Sequence, residues 1–495
     1  MRLTNFPKLQ KIIDTIQKEL GSGESLYLVG GCVRDSILNL EFNDLDFVMP
    51  DDPTRFARAV AKQLQSGFFV LDDERCTARI VYTSDSGETF PLDFVRFTGN
   101  SLEEDLLNRD FTINAMAISI HDLSTIIDPL GGQADLEQRC LRLCNPNALI
   151  ADPVRVLRGI RLACQFNLDF SNGLDRKIKE AAQLLPNTSS ERHRDEFFKI
   201  LDGQNPAGGL EFFRKFQIFN VLIPSLVEQN GIPASPPHVL PLFDHTLAVV
   251  HYLDQILVAI RDIASCVGHQ PLWFEKLVDM LAPFALQLNG FFHEEITPGR
   301  TKRSLLMLGS LLHDLGKPRT MRLGQDGRLH YFNHAQVGAD LAYNVSKRLK
   351  LSNAECDWVT CLVRYHMELL PFINDETMAT PRAIFRFFKK VEEVGLAIIL
   401  HTMADTLGTF GEALSVEKWK KTINVMENFL SAWWLQKDLL ISPTPLLNGH
   451  DIQTLFGLEQ GAQIGHLLNQ LLEAQVNGEV QTQMEAETFL SKIVK

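Results

Sequence analysis

The chain has 495 residues, with 61 acidic and 48 basic side chains and a formal net charge of −13 at neutral pH. That length exceeds a single compact core and indicates about three domains. The acidic balance excludes a protein that coats nucleic acid indiscriminately, because such binding depends on clustered Lys and Arg.

No segment resembles a signal peptide, and no uncharged apolar run is long enough to span a bilayer. The eight cysteines are scattered without a paired metal-ligand spacing, which is typical of reduced thiols. We therefore expect a cytoplasmic protein that has no membrane partner.

The first predicted elements surround a pair of glycines. Leu26–Val29 is predicted to be a short buried strand, Gly30 and Gly31 a tight turn, and Val33–Leu40 a helix. A glycine turn that opens a helix presents free backbone N–H groups, which can bind phosphate. A plain structural turn is the alternative for this fragment taken alone.

Two aspartates follow, Asp44 and Asp46. In an extended strand, residues two apart point to the same side, so both carboxylates can hold divalent cations together. Beside a phosphate-binding turn, such a pair suggests nucleotidyl transfer: one ion lowers the pKa of an attacking hydroxyl, and another neutralises the triphosphate. A solvated loop is the alternative for this fragment.

Further strands are predicted at Ile80–Tyr82 and Leu92–Val95, so the head is α/β with a small mixed sheet. Asp93 alternates with buried residues in the second of these strands. Two interpretations stay open for it: a third carboxylate of the site, or an ion pair with Arg96.

After Asp128–Gly132 the pattern becomes helical. Thr188 and Glu191 predict a capping box at the start of a helix that carries Arg192. The predicted organisation is a head at 1–138, a helical neck at 139–223, a linker at 224–241, a second helical unit at 242–410 with an insertion at about 267–301, and a helical C-terminal region at 411–495.

Two more polar motifs carry chemistry. Arg109, in the segment 108–115, is suited to a forked contact with phosphate. Asp152 and Arg155 place an acceptor and a forked donor close together. Asp accepts from an exocyclic amine and Arg donates to ring acceptors, a pattern that cytosine and adenine share.

Taken in order, the segments 30–35, 44–46, 109–115, 128–132, 152–155 and 191–196 resemble the motif series of bacterial class II tRNA nucleotidyltransferases and their poly(A) polymerase relatives. The resemblance implies a head with a polymerase-beta-like mixed sheet, followed by an all-α neck. It implies tRNA as the partner and catalytic Mg²⁺ at Asp44 and Asp46. The nucleotide-binding residues that it implies are Gly30, Gly31, Arg34, Arg109, Asp110, Asn114, Asp152, Arg155, Arg158 and Arg192.

The interval Phe97–Asn108 is short and lacks the longer loop, bearing Arg and Tyr, of full CCA-adding and A-adding members. A loop that re-forms the pocket when the base changes from C to A is a plausible requirement for terminal A addition. Its absence resembles the CC-adding subgroup, which leaves the last adenosine to a separate A-adding enzyme. Free drift of loop length is the alternative.

The second unit contains several separated histidines and aspartates that suit a cluster of metal ligands. They resemble the HD phosphohydrolase superfamily, which implies hydrolysis of phosphomonoesters or 2′,3′-cyclic phosphates with a divalent metal of unidentified kind. The ligands it implies are His245, His313, Asp314 and Asp405, with His334 and His366 in addition. The long interval between His245 and His313 is a departure.

The sequence thus predicts transfer of CMP from CTP to the 3′ end of tRNA by a two-metal mechanism. One alternative is a full CCA-adding enzyme that also uses ATP, with or without hydrolase activity in the HD domain. A poly(A) polymerase is another, and a hydrolase whose head only binds RNA is a third.

Overall fold

The structure is a computed structural model that describes residues 7–21, 23–42, 44–74, 76–84, 87–266, 271–374 and 379–494. The chain divides into two compact units. The first comprises Met1–Glu196 and Lys215–Val221, and the second comprises Phe197–Arg214 and Leu222–Lys495.

The first unit is built on a seven-stranded mixed sheet with the order β3-β4-β5-β2-β1-β6-β7. Its strands are β1 (Tyr27–Val29), β2 (Leu45–Met49), β3 (Gly67–Asp72), β4 (Thr77–Thr83), β5 (Thr89–Arg96), β6 (Ala117–Ser119) and β7 (Asp122–Ile127). The β2–β5 pair is parallel, and the other neighbours in this sheet are antiparallel. The predicted mixed sheet is confirmed.

The two faces of this sheet differ in burial. On β4 and β5 the even-numbered side chains up to Phe94, such as Ile80, are buried, whereas odd-numbered ones such as Arg79 and Asp93 are partly exposed. This period of two places an apolar face against helices and leaves a polar face open to solvent. The helices of this part are α1 (Pro7–Glu19), α2 (Gly31–Ile37), α3 (Pro53–Leu64), α4 (Leu102–Leu107), α5 (Gly132–Glu137), α6 (Ala148–Ala151), α7 (Arg155–Phe166) and α8 (Leu174–Ala182).

Three local predictions need correction. The helix after the glycine turn ends at Ile37 rather than Leu40, because Asn39 takes a positive φ of 54°. The region predicted as all-helical contains a parallel strand pair, β8 (Cys140–Leu141) with β9 (Asp169–Phe170). Thr188 is not the cap: the next helix begins at Ser190, and Ser189 Oγ accepts from Arg192 N at 3.5 Å.

Four helices follow in residues 190–227: α9 (Ser190–Leu201), α10 (Pro206–Lys215), α11 (Phe219–Leu222) and α12 (Pro224–Val227). The last of them lies in the segment predicted as a linker. Leu226 and Gln229 of that segment are fully buried. The segment 224–241 is therefore packed into the second unit rather than extended in solvent.

Helices make up most of the second unit. They are α13 (Leu242–Arg261), α14 (Leu272–Leu281), α15 (Ala285–His293), α16 (Lys302–Leu312), α17 (Lys317–Thr320), α18 (His334–Arg348), α19 (Asn353–Tyr365), α20 (Leu370–Asn374), α21 (Pro381–Val391), α22 (Val394–Phe410), α23 (Val416–Leu435), α24 (Gly449–Phe456), α25 (Ala462–Val476) and α26 (Gln483–Ile493). Two small hairpins interrupt them: β10 (Glu295–Thr297) with β11 (Arg300–Thr301), and β12 (Arg322–Leu323) with β13 (Leu329–His330).

The central helix of this unit is α22. The stretch Val394–Ala413, which begins with α22, is the one stretch of the described chain that is long and apolar enough to cross a membrane, with a mean hydropathy of 1.3. Of that window, 83% is buried inside the protein. Helices α13, α16, α19 and α23 pack around α22, so its apolar surface is used in the core.

Candidate active site and candidate metal centre

Three carboxylates come together on the open face of the sheet. The parallel pairing of β2 and β5 places Asp46 opposite Asp93. Asp44 lies directly before β2 and raises the pKa of Asp46, as Asp93 does. The predicted convergence of Asp44 and Asp46 is present, and Asp93 joins them as the third carboxylate.

The carboxylates repel one another. Burial, followed by the charges of Asp44 and Asp93, raises the pKa of Asp46 from 3.8 to about 6. Partly buried oxygens crowded in this way are costly unless a cation offsets their charge. An all-oxygen donor set fits a hard divalent cation such as Mg²⁺.

Asp93 also has a cationic partner, which is Arg79 rather than Arg96. Arg79 Nε and Nη2 donate to the two Asp93 oxygens, each at 2.7 Å, across the antiparallel β4–β5 pair. Arg96 is three residues from Asp93 on the same strand, so its side chain leaves the opposite face. The predicted ion pair with Arg96 is therefore wrong, since Arg79 takes that place, while Asp93 lies beside the other carboxylates.

Gly30 brings the backbone of the glycine turn close to the carboxylates. Its φ is +80°, and a Cβ at this position would lie 3.3 Å from both Asp46 Oδ2 and Arg109 Nη1. Glycine alone adopts this conformation freely and leaves that space open. Gly31 begins helix α2, so free N–H groups of its first turn flank the carboxylates.

A buried aspartate that the sequence reasoning missed, Asp105, positions Arg109. Asp105 Oδ2 accepts from Arg109 Nε at 3.1 Å, and Asp105 Oδ1 accepts from Thr98 N at 2.9 Å. The spacing of four residues between Asp105 and Arg109 was the available signal. This pair fixes the direction of the Arg109 guanidinium beside Asp46.

Four other predicted nucleotide-binding residues form a hydrogen-bonded network, in which all but the half-exposed Arg158 are buried. Arg34 Nη1 donates to Asn114 Oδ1 at 2.5 Å, and Asn114 Nδ2 donates to Asp110 Oδ1 at 3.2 Å. Arg158 Nε donates to Asp110 Oδ2 at 2.8 Å. Burial favours the neutral Asp110, but Arg158 and these hydrogen bonds hold its pKa below the usual value. These hydrogen bonds fix the positions of the side chains in the predicted nucleotide-binding motif.

The predicted base-reading residues line an open cleft of about 1020 Å³ in the first unit, next to the carboxylate face. Arg192 Nη2 donates to Asp152 Oδ2 at 2.6 Å. Arg155 Nε lies 3.9 Å from the same oxygen, and Arg155 Nη2 donates to Asn108 O at 2.9 Å. The polar edge of the cleft is thus one carboxylate between two guanidinium groups.

The other end of this cleft adjoins the segment 97–108, which is short and internally tied. Ser101 caps helix α4, and Asn108 Nδ2 donates to Thr98 O at 3.1 Å. Leu102 and Leu106 of α4 pack into the sheet beside Val29. The segment is therefore held by hydrogen bonds at both ends and by the packing of Leu102 and Leu106 in its middle, so it does not form a long flexible loop.

The second unit brings all six predicted HD residues into one buried cluster. Asp314 lies within 4.8 Å of two histidine pairs, His245 with His313 and His334 with His366. His245 Nε2 is 3.1 Å from Asp405 Oδ1. The long interval between His245 and His313 therefore does not separate these two residues in space.

The imidazoles are held ready to bind a cation. The Nδ1 atoms of His313, His334 and His366 bond to the backbone oxygens of Ser310, Tyr331 and Val363 at 2.8, 2.8 and 2.6 Å. Such bonds fix the tautomer whose Nε2 carries a lone pair. The Nε2 atom of His313 and both oxygens of Asp314 are buried at the centre of this cluster, 3.1 Å apart at their closest approach. Residues of this kind fit a pair of divalent cations that share Asp314.

Three residues at this centre were not predicted. Lys317 Nζ is 2.6 Å from Asp314 Oδ2, and His238 Nε2 is 3.2 Å from the same Nζ. Burial and then Lys317 lower the pKa of His238 to about 3, so it is neutral. His401, one helical turn before Asp405, lies beside His313 with ring centroids 4.8 Å apart. Its spacing from Asp405 was the only signal in the sequence.

Comparison with known proteins identifies the family. The model of the "Poly A polymerase head domain" matches residues 26–142, that of the "Probable RNA and SrmB- binding site of polymerase A" matches 167–229, and that of the "HD domain" matches 242–386. The A-adding tRNA nucleotidyltransferase of Deinococcus radiodurans is 31% identical over 471 residues, or 94% of each chain. The chain belongs to the bacterial tRNA nucleotidyltransferase family. It is a nucleotidyltransferase, as its motifs predict.

Other tRNA nucleotidyltransferases match this chain over most of its length. The CC-adding enzyme of Thermus thermophilus is 31% identical and covers 93% of this chain and 92% of its own. An apo structure of a CCA-adding enzyme superposes with a TM-score of 0.64 at 20% identity, covering 98% of this chain and 94% of that one. The Thermotoga maritima CCA-adding enzyme complexed with tRNA(CCA) has a TM-score of 0.61 at 21% identity, covering 99% and 96%. The predicted fold is thereby confirmed.

We expect Asp105→Asn to weaken nucleoside triphosphate binding, because it removes the charge that orients Arg109 and keeps the shape of the side chain. A hydrogen bond to a charged group is worth about 1.5–3 kcal/mol, so the KM for the triphosphate should rise about tenfold. Steady-state kinetics measure this change. Glu103→Gln, an exposed carboxylate on the same helix, is the control, and an equal change in both variants would contradict the role of Asp105.

Proposed function

We propose that this tRNA nucleotidyltransferase transfers CMP from CTP to the 3′ end of tRNA and adds two C residues without the terminal A. The observation that carries the proposal is the tied segment 97–108. A pocket that accepts C and then A has to change shape. Because this segment is short and held by hydrogen bonds and apolar packing, it cannot move enough to allow that change. The relatives of this protein include both CC-adding and A-adding enzymes.

The proposed roles follow from the geometry. Asp44 and Asp46, with Asp93 beside them, hold Mg²⁺, which lowers the pKa of the attacking hydroxyl and offsets the triphosphate charge. Arg109 and the N–H groups near Gly30 contact the triphosphate.

Asp152 and Arg155 supply the acceptor and donor that match the exposed edge of cytosine, and Arg192 holds Asp152 in place. Arg34, Asp110, Asn114 and Arg158 keep these groups in position from the interior. Selection of the base then depends on protein side chains, and tRNA supplies only the accepting hydroxyl.

Product length on tRNA tests the proposal. A tRNA transcript that lacks its last three nucleotides, incubated with CTP and ATP together, should be extended by two C residues and no further. A transcript that already ends in CC should incorporate no AMP. Sequencing gels resolve these products one nucleotide at a time. Addition of a terminal A would indicate a full CCA-adding enzyme, long A tails a poly(A) polymerase, and failure to use CTP would contradict the proposal entirely.

The complete 3′ end requires a second activity under this proposal. A separate A-adding enzyme would act on the tRNA that this protein releases after the second C. Adding a purified A-adding enzyme to the reaction should convert the CC product to CCA. Conversion without that enzyme would contradict the division of labour.

We also infer that the second unit is a metal-dependent phosphohydrolase. The supporting observation is the pair of histidine groups that share Asp314, of which Asp314, His334 and His366 line a cavity of about 550 Å³. Lys317 lies in this cavity and can neutralise a substrate phosphate. Purified protein should hydrolyse 2′,3′-cyclic nucleotides or phosphomonoesters with one of Mn²⁺, Co²⁺, Ni²⁺ or Mg²⁺. Lack of activity with every metal would assign the cluster a structural role.

A further inference from the structure

An aromatic side chain on the outermost strand of the sheet has no role in the chemistry described above. Phe69 of β3 is 54% exposed, although most large apolar side chains of this unit are buried. Strand pairing places it in one row with Arg79, Asp93 and Asp46 on β4, β5 and β2. Residues paired directly across strands share a face, so Phe69 lies on the face that carries the carboxylates.

Gly67 gives the ring of Phe69 a defined position on this face. Residues 67 and 69 are two apart on one strand, and a Cβ at Gly67 would lie 3.3 Å from Phe69 Cε2 and 3.8 Å from its Cζ. The ring therefore leans over the bare glycine backbone, toward Val81 on the next strand. Since Gly67 has no side chain to displace the ring, the ring can lie over the strand, and Phe69 stays 54% exposed.

The position of Phe69 relative to the cleft distinguishes two sides of the site. Thr77 and Val95 line the base-reading cleft. They are paired with each other and lie between the carboxylate row and the hairpin turn that joins β3 to β4. Gly67 and Val81 lie on the opposite side of the row. The Phe69 ring therefore leans away from the base-reading cleft while it stays on the face that carries the carboxylates.

We propose that Phe69 is a stacking platform for an unpaired base of the tRNA acceptor end. The proposal rests on tRNA being the acceptor and is independent of how many nucleotides are added. Three interstrand spacings separate Phe69 from Asp46, about 14 Å. The stacked base thus belongs to a nucleotide upstream of the one that bears the attacking hydroxyl. Aromatic rings bind single-stranded bases in this way without selecting their identity.

A second copy of the chain is the other conceivable occupant of this strand. Val70 and Leu71 are also exposed on β3, which is an edge strand. The ladder between β3 and β4 shifts register between Val70 and Asp72, however. A bulge of this kind twists an edge and disfavours strand addition. The shared face with the carboxylates favours RNA.

Kinetics of Phe69 variants on the full-length protein test the proposal. With the nucleotide that the wild type adds, Phe69→Ala should raise the KM for tRNA about 5- to 100-fold, the range that base–aromatic stacking supports. The KM for the nucleotide should change less than about twofold, because the cleft is untouched. Phe69→Trp should restore tRNA binding and Phe69→Leu should not.

Val70→Ala is the matched control, because Val70 is exposed on the same strand and points to the other face. A tRNA with 2-aminopurine two nucleotides before its 3′ end reports stacking directly: its fluorescence should fall on binding to the wild type and not to Phe69→Ala. Equal KM values for the Phe69→Ala and Val70→Ala variants, or rescue by Leu, would overturn the proposal. So would sedimentation showing a dimer that Phe69→Ala dissociates with an unchanged KM for tRNA. A wild type that extends no tRNA at all would instead refute the proposed function.

Discussion

Asp46→Asn is expected to abolish nucleotide transfer while raising the temperature of unfolding. The amide lacks the charge with which the carboxylates of β2 and β5 would hold a divalent cation. Charge stabilisation by metal is worth several kcal/mol, so the rate of CMP incorporation should fall at least about 10³-fold. Single-turnover incorporation into tRNA measures the loss.

The rise in stability follows from the pKa of Asp46. A value of about 6 in the folded protein, against an ordinary value near 3.8, corresponds to at most about 3 kcal/mol of destabilisation at neutral pH. The folded pKa is raised, so the contribution of this carboxyl to stability is fully present below pH 4. It is lost as the pH rises through about 6. The neutral amide avoids that loss.

Calorimetry without divalent metal should therefore show a Tm for Asp46→Asn that exceeds the wild-type value at pH 7.5. The two values should converge near pH 4. Adding Mg²⁺ should stabilise the wild type alone. Asp51→Asn, an exposed aspartate just after the same strand, should keep both wild-type activity and wild-type Tm. A lower Tm for Asp46→Asn at pH 7.5 would show that the carboxylates are not in electrostatic conflict.

The elements that follow short-range rules could be predicted from the sequence. The shared face of Asp44 and Asp46 depends only on the period of two in a strand, and the turn at Gly30 only on the conformational freedom of glycine. The glycine turn is present, and Asp46 lies in β2, whereas Asp44 lies directly before that strand. The family resemblance added further site residues to the prediction, such as Asp152 and Arg155. These two are close in sequence, at the start of one helix, so their proximity also follows from a short-range rule.

Contacts that depend on strand register could not be predicted. The partner of Asp93 is Arg79, 14 residues earlier, and only the pairing of β4 with β5 brings them together. Arg96 was the nearer basic residue in sequence, but it lies on the wrong face. The row of paired residues that joins Phe69 to the carboxylates also depends on strand register, so the sequence could not predict it.

A motif names residues and does not give their direction. Arg34 was predicted to bind nucleotide, yet its guanidinium is buried against Asn114 and Asp35. His401 was missed for the opposite reason, because a lone histidine in an apolar helix reads as a core residue. The packing of the helices, which the sequence does not reveal, directs Arg34 into the interior of the first unit. It directs His401 toward the metal centre of the second.

Asp314→Ala is expected to remove divalent metal from the second unit and to leave nucleotide transfer intact. Asp314 Oδ2 lies 3.1 Å from His313 Nε2 and 3.6 Å from His245 Nε2, and Asp314 Oδ1 lies 3.6 Å from His334 Nε2. Among the described residues it is the one carboxylate that both histidine groups share. Loss of an outer partner of a metal ligand costs 10- to 100-fold in affinity, so loss of the shared ligand should cost more than about 100-fold.

Metal content by mass spectrometry and any phosphohydrolase activity should fall together in this variant, whereas CMP incorporation should stay within about twofold of the wild type because its residues lie in the first unit. His251→Ala provides the control: His251 lies on α13, as His245 does, and is exposed. It should keep both metal and hydrolysis. Retained metal in Asp314→Ala would show that the cation lies elsewhere. Loss of CMP incorporation with normal folding would show that the two chemistries depend on each other, because Asp314 belongs to no part of the transfer site.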